Sequence, residues 1–380
     1  MKEKIRILFF TPYASRTGSE VMLWYIFKHF DRSKFEMGVV SFRKGELVDE
    51  LPADVAFYHV PDHYSLTQKL AFHLGWNPTI QGIKAAAKDF KADFWYVNTI
   101  MLPFVVEQAR ELNIPCVTHV HELGHTFASS SKVNFKNLIE YSDLLVGCSQ
   151  IVCDILEELG AKNIKKLYSF VDLEAIQTNP ENAVAIRKKL GAKATDFIWI
   201  MSGTSSERKG FDLLPELAQK LPADSTLHLV WVGRLLDDGL TYWVQKSCES
   251  IQHINIHLVG AQHNDYYNYL AAADGFMMTS RQEPFGLVMV EAAWLGKPIV
   301  AFESGGPQEF INEKTGSLIP CFDTALFADE MIRWRANIHD YDAESSKRHC
   351  IPFGTTAGMA NWCEMMETFY NQKIVATEPS

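Results

Sequence analysis

Short apolar runs, each feeding an amphipathic stretch, recur along both halves of the chain, and this rhythm limits the possible folds more than any other feature of the sequence. In the first half the runs are Ile5 to Phe10, Met37 to Phe42, Val55 to Val60, Phe94 to Val97, Pro115 to Val120 and Leu144 to Gly147. Helical stretches follow at Glu20 to Phe30, at Leu102 to Leu112, and from Cys148, Ser149 and Gln150 to Leu159, with Ser149 suited to the N-cap. Strand and helix in alternation predict a doubly wound parallel sheet. The polar stretch Gln177 to Asn182 breaks the rhythm, and a second set of strands begins with Phe197 to Met201, Leu227 to Val232 and Asn255 to Val259, completed by Phe276 to Met278 and Ile299 to Phe302.

A chain of 380 residues is long for one core, so two domains with a boundary near Asp172 are expected. Two such α/β folds imply a cleft between them, at the carboxyl ends of their strands. The last amphipathic stretch, Gly358 to Gln372, carries Met359, Trp362, Met365, Met366 and Phe369 at helical spacing, which reads as a packing face. The tail after Ile374 is expected to fray. The expected division is 1–172, 173–357 and a C-terminal helix in 358–380.

Charge and cysteine content exclude several classes. A net charge of −10 argues against a nucleic-acid binder, which needs a basic stripe. Seven cysteines without a Cys-x-x-Cys pair suit neither a disulfide framework nor a zinc site and point to reduced, cytoplasmic thiols. The run Ile5 to Phe10 is too short for a signal peptide, and no stretch of roughly 18 apolar residues predicts a spanning helix.

The segment Ser280-Arg281-Gln282-Glu283-Pro284-Phe285-Gly286-Leu287-Val288-Met289-Val290-Glu291-Ala292 places two carboxylates around a helix start. The first N–H groups of a helix have no internal partner and lie at the positive end of its dipole, so Phe285, Gly286 and Leu287 are candidates to face an anion such as a diphosphate. Glu291, about two turns in, can accept two hydrogen bonds from a vicinal diol such as ribose, and Glu283 can hold sugar hydroxyls. Read singly, either acid is an ordinary solvated charge. The neighbours Val288, Met289, Val290, Ala292 and Ala293 make Glu291 look buried, and a buried acid needs partners.

Four further strings end strands. Ser202 to Asp212 carries Arg208 and Lys209, where a diphosphate would need cations, although two solvated loop charges is the simpler reading. Arg234, in Val232-Gly233-Arg234, lies on a different strand and is left outside the site. Arg16-Thr17-Gly18-Ser19-Glu20 has a single glycine and neither Rossmann nor Walker spacing, so a plain strand-to-helix turn competes with a phosphate contact. His121 and Glu122 follow another strand, with His119 on the same face; a structural hydrogen-bonding role for the histidine is the alternative. Asn98 and Thr99 end another strand and read as a simple turn sooner than as a lining of an acceptor cleft. The stretch His63 to Phe90 mixes Tyr64, Leu66, Leu70, Phe72, Leu74 and Trp76 with Lys69, Lys84 and Lys88, which reads as core with solvated lysines sooner than as a lipid-facing surface.

The Glu283 to Ala292 string, with Gly296-Lys297-Pro298-Ile299-Val300 and Gly305-Gly306-Pro307-Gln308-Glu309, closely resembles the signature of the retaining glycosyltransferases called family 4, which have the GT-B fold and a Glu-x7-Glu pattern. The likeness extends over most of the chain. It implies two Rossmann-like domains facing an interdomain cleft and a C-terminal helix crossing back onto the first. Lys209-Gly210 matches the end of that family's Gly-Arg-x4-Lys-Gly pattern, but Thr204 stands where an arginine is common, which leaves open whether Arg208 replaces that charge. The same resemblance implies that Gly18 lies near the donor phosphate and the acceptor, that His121 faces the donor sugar, and that Ala261 and His263 contact the nucleobase.

Together these readings predict a retaining hexosyl transfer from a nucleoside diphosphate sugar, UDP-glucose or UDP-N-acetylglucosamine foremost, to a hydroxyl of a glycan or lipid-linked acceptor. The expected catalytic residues are His121, Lys209 and Glu283. The expected donor-binding set is Gly18, Arg208, Lys209, Ala261, His263, Glu283, Phe285, Gly286, Leu287 and Glu291. No metal or other cofactor is expected to be obligatory. A cytoplasmic enzyme, with room for peripheral association at a membrane, fits lipid-linked acceptors. Retaining glycosidases hold their carboxyl pair roughly 5 to 5.5 Å apart, whereas the expected spacing of Glu283 and Glu291 along the helix axis is roughly 9 Å. Separate grips on sugar and ribose are therefore expected, not a shared nucleophilic attack. A nucleotide-sugar epimerase of the same architecture and a non-catalytic ligand sensor are the competing readings.

Overall fold

The computed structural model describes residues 4–62, 65–73, 75–128 and 130–377. The chain divides into two compact units: Met1–Phe170 with Thr355–Ser380, and Val171–Gly354.

The first unit is built on seven strands: β1 (Ile5–Tyr13), β2 (Phe35–Arg43), β3 (Ala56–His59), β4 (Phe94–Val97), β5 (Cys116–Val120), β6 (Leu144–Gly147) and β7 (Ile164–Lys166). Their order is β3-β2-β1-β4-β5-β6-β7 and every pairing is parallel; Ile7, for example, lies between Met37 and Phe94. Parallel strands need helical crossovers that cover both faces, which is why β4, β5 and β6 are buried along their whole length.

The C-terminal helix Thr355–Lys373 belongs to this unit. It buries Met359, Trp362, Met366 and Phe369, while Met365 is partly buried against the same cluster. Trp362 packs 5.3 Å from Phe35 and 6.2 Å from Phe9, and Phe369 lies edge-on to Phe94 at 5.1 Å. Gly358 permits this approach, because a Cβ there would fall 2.2 Å from the Phe170 ring.

The second unit carries β8 (Phe197–Ser202), β9 (Leu227–Val232), β10 (Asn255–Gly260), β11 (Gly275–Met278), β12 (Ile299–Phe302) and β13 (Gly316–Ile319). The order is β10-β9-β8-β11-β12-β13, again all parallel. Counted from its own first strand, this sheet repeats the order of the first six strands of the other, so each unit is a Rossmann-like α/β fold. In each, strand order reverses beside the first strand, between β1 and β4 and between β8 and β11. Ligands of open α/β sheets gather at the carboxyl ends of strands at that reversal.

Several sequence readings need correction. The edge strands β7 and β13 escape the apolar-run search because Ile-Lys-Lys and Gly-Ser-Leu-Ile carry too few apolar residues. Ser149 does precede the helix Gln150–Glu158, but its side chain makes no capping bond. The helix after Gly286 starts at Leu287, so Glu291 is its fifth residue, a little over one turn in and not two. The stretch from His63 to Phe90 holds two helices, Leu66–His73 and Pro78–Phe90, with Phe72 and Trp76 about half exposed; His63, Tyr64 and Leu74 lie outside the described residues. No described helix is long and apolar enough to cross a membrane.

Candidate active site

In the second unit the loops leaving β8 and β11 are stitched together at the switch point. Arg281 N donates to Arg208 O at 2.8 Å and Thr279 Oγ1 to Lys209 O at 3.0 Å. Gly210 makes this contact feasible: its φ is +69°, and a Cβ would stand 2.0 Å from Thr279 O. The consequence is that Lys209 Nζ meets Glu283 Oε2 at 2.5 Å, although 74 residues separate them in sequence.

Glu283 is buried, 6% exposed, and is fixed from both sides. Its N–H donates to Ser304 O at 2.9 Å, and its carbonyl accepts from Gly306 N at 2.7 Å. Gly306 must be glycine for this run to close, since a Cβ would lie 2.3 Å from Phe285 Cα. Oε2 also accepts from Ser280 Oγ at 3.0 Å, so Oε1 remains uncommitted among the described residues. Burial alone would raise the Glu283 pKa, but the charges of Lys209 and Arg208 and its hydrogen bonds hold it below the ordinary value. Burial lowers the pKa of the Lys209 ammonium, against the pull of Glu283.

The helix Leu287–Trp294 begins at Gly286, in the left-handed region at φ +99°, and no side chain caps it. Its leading N–H groups are therefore available to an anion. One turn on, Glu291 is 8% exposed and accepts from Tyr266 Oη at 2.9 Å on Oε2 and from Tyr267 Oη at 3.3 Å on Oε1. A carboxylate has about four acceptor positions, so each oxygen keeps one for a further hydroxyl. Burial pushes the Glu291 pKa up to about 7 despite the two tyrosines. Ala261 and His263 are exposed in the loop after β10, and Arg208 donates to Gln282 O at 3.1 Å.

The first unit gathers polar groups at its own switch point. Asn98, after β4, donates through Nδ2 to Ser19 O at 3.1 Å, which leaves its Oδ1 facing His121 Nε2 at 3.2 Å. With Asn98 oriented by Ser19, His121 must carry its proton on Nε2, and Nδ1 becomes the acceptor. Burial pulls the His121 pKa down to about 3, so the ring is neutral at physiological pH. Its ring lies 3.9 Å from that of His119, which is fully buried and bonded to Tyr96 Oη at 2.6 Å. Glu122 accepts from Thr99 Oγ1 and, at 2.8 Å, from His121 N. Burial pushes its pKa up to about 7. Gly18 opens the helix Gly18–His29 and is exposed.

Residues 16–175 match the family model described as Glycosyltransferase Family 4, and residues 183–347 match Glycosyl transferases group 1. These matches indicate a GT-B glycosyltransferase of the group 1/family 4 type. Among curated relatives, this glycosyltransferase is 27% identical over 238 residues to a GDP-mannose-dependent monoacylated alpha-(1-6)-phosphatidylinositol monomannoside mannosyltransferase of Corynebacterium glutamicum, a match covering 60% of this chain and 61% of that protein. It is 25% identical over 326 residues to the UDP-Gal:alpha-D-GlcNAc-diphosphoundecaprenol alpha-1,3-galactosyltransferase of Escherichia coli, covering 81% and 82% of the two chains. The fold matches Anabaena HepE, solved in complex with UDP and glucose, at a TM-score of 0.79 and 20% identity, over 96% of this chain and all (100%) of that one.

Three features of this glycosyltransferase escaped the sequence reading: the Lys209–Glu283 ion pair, the Tyr266 and Tyr267 bonds to Glu291, and Glu20. Glu20 is 3% exposed and bonded to Thr11, Thr17 and Ser19. An acid in the first turn of a helix reads as a simple complement to the helix dipole, and nothing local marks this one as buried. Among the described residues no group of three His, Cys, Asp or Glu side chains is arranged to hold a metal ion.

Proposed function

We propose that this glycosyltransferase moves a hexosyl unit, with retained anomeric configuration, from a nucleoside diphosphate sugar to a hydroxyl of a glycan or glycolipid acceptor, with UDP-glucose and UDP-N-acetylglucosamine the first donors to test. The observation that carries this reading is the grouping at the second switch point: a buried Lys209–Glu283 pair, an uncapped helix start at Gly286, and Glu291 with acceptor positions to spare. Each suits one part of such a donor. Glu291 takes the ribose diol, and the N–H groups from Phe285 to Leu287, with Arg208 and Lys209, take the diphosphate. The free Oε1 of Glu283 takes a sugar hydroxyl, and Ala261 and His263 flank the base. In the first unit, neutral His121 keeps Nδ1 as an acceptor for a substrate hydroxyl, and Gly18 leaves the backbone of the β1 loop open to a ligand.

The reaction needs no enzyme nucleophile. The bond from C1 to the phosphate oxygen breaks as the bond from C1 to the acceptor oxygen forms on the same face, and the acceptor proton passes to the departing phosphate. Lys209, Arg208 and the helix-start N–H groups stabilise the charge that develops there. The relatives support the class, one being named for GDP-mannose and the other for UDP-galactose, each with a lipid-linked acceptor. HepE, crystallised with UDP-glucose, supports UDP among the nucleoside diphosphates. Lipid-linked acceptors would bring the enzyme to a membrane surface from the cytoplasmic side.

The test is a panel of UDP-glucose, UDP-N-acetylglucosamine, UDP-galactose and GDP-mannose followed by NMR, with and without glycan and glycolipid acceptors. We expect slow hydrolysis of one donor alone and an α-linked product with acceptor. Isomerised donor without acceptor would indicate an epimerase, and binding without turnover a sensor.

A further inference from the structure

Arg234 lies two residues past the end of β9 and is exposed. Its backbone is tied to the loop that leaves β8: Arg234 O accepts from Ser205 N at 2.9 Å, and Leu236 N donates to Ser205 Oγ at 2.7 Å. One residue earlier the two loops touch, since a Cβ on Gly233 would stand 2.1 Å from Gly203 O. Gly203 in turn supports the stem of Lys209, whose Cγ would lie 3.2 Å from a Cβ added there. A continuous path of contacts therefore runs from Arg234 through Gly233 and Gly203 to Lys209 and Glu283, within one unit.

The charges on these loops differ in what they already hold. Lys209 is neutralised by Glu283, and Arg281 is clamped by both oxygens of Asp212, at 2.5 and 2.7 Å. Arg208 spends one arm on the Gln282 carbonyl. The Arg234 guanidinium makes no hydrogen bond or ion pair among the described residues, and Thr204, its neighbour across the loop contact, is exposed and uncharged. A diphosphate carries more negative charge than one ammonium already matched by a carboxylate can balance, and a planar guanidinium is suited to gripping two phosphate oxygens at once.

We propose that Arg234 is a phosphate-binding residue of the donor site, supplying from the β9 loop the cation that Thr204 does not supply from the β8 loop. This rests on the donor reading above. The test is calorimetric titration of wild type, Arg234→Ala and Arg234→Glu with UDP and GDP, and with uridine and guanosine. For whichever diphosphate the wild type binds, we expect Arg234→Ala to weaken binding about tenfold or more and Arg234→Glu to weaken it further, with affinity for the matching nucleoside unchanged. A diphosphate affinity equal to wild type in Arg234→Ala overturns the proposal, and so does an equal loss for the nucleoside. If the wild type binds neither diphosphate, the donor reading itself falls, and this inference with it.

Discussion

Removing the Lys209 ammonium leaves the Glu283 carboxylate buried without its counter-ion, so Lys209→Ala changes two properties at once. Transfer should fall by about 10²-fold or more, as when one donor to a developing anion is lost. Stability should fall by about 3–5 kcal/mol, the usual cost of breaking a buried pair from one side. Adding Glu283→Gln should restore much of the stability, read by urea denaturation, without restoring turnover. For Glu291 the sign of the pH dependence follows from its raised value: the fold favours the protonated form, so that stabilisation is complete below the ordinary 4.5 and is lost as pH rises through about 7. Glu291→Gln should flatten the change in stability between those two values, and should weaken nucleotide binding more than it slows turnover of bound donor. His121→Ala should lower transfer more than nucleotide affinity; an equal loss in both would reassign the residue. The burial of Glu291 was legible from its apolar neighbours, whereas its tyrosine partners were not, because they lie 24 and 25 residues earlier and reach it only through sheet topology.

At the scale of elements, the helix Thr355–Lys373 holds the first unit together from the far end of the chain. Its apolar spacing announced a packing face, but the partners Phe9, Phe35 and Phe94 lie hundreds of positions earlier, and no local pattern names them. Trp362→Ala should cost about 3–5 kcal/mol, because the side chain is fully buried and the cavity cannot collapse against the rings of Phe9, Phe35 and Tyr96. Gly358→Ala should also destabilise, since the Phe170 ring would have to move. Denaturant titration of both variants checks this, and unchanged midpoints would mean the helix is dispensable. The strands were legible where apolar runs were dense, and β7 and β13 were missed where an edge position let polar residues in.

At the scale of the molecule, one sheet order occurs twice, and in each copy the loops beside its reversal are tied together by polar groups, Asn98 to Ser19 and Lys209 to Glu283. Periodicity alone was enough to indicate two doubly wound units, since buried parallel strands demand such runs. It could not indicate which loops meet, because the contact between the β8 and β11 loops depends on the reversal and on Gly210, and that between the β11 and β12 loops on Gly306, each permitting backbone approach. Arg234 shows the same limit: in sequence it belongs to another strand, and the fold brings that strand's loop against the β8 loop. The central claim is that the second unit holds a nucleoside diphosphate sugar at its switch point. Its most direct test is equilibrium titration of wild type, Lys209→Ala and Glu291→Gln with the four donor sugars. We expect the wild type to select one donor, with Glu291→Gln weakened by about tenfold or more, in line with a charge-assisted pair of hydrogen bonds. Binding of none of the four, or binding of the selected donor with equal affinity by all three proteins, would contradict it.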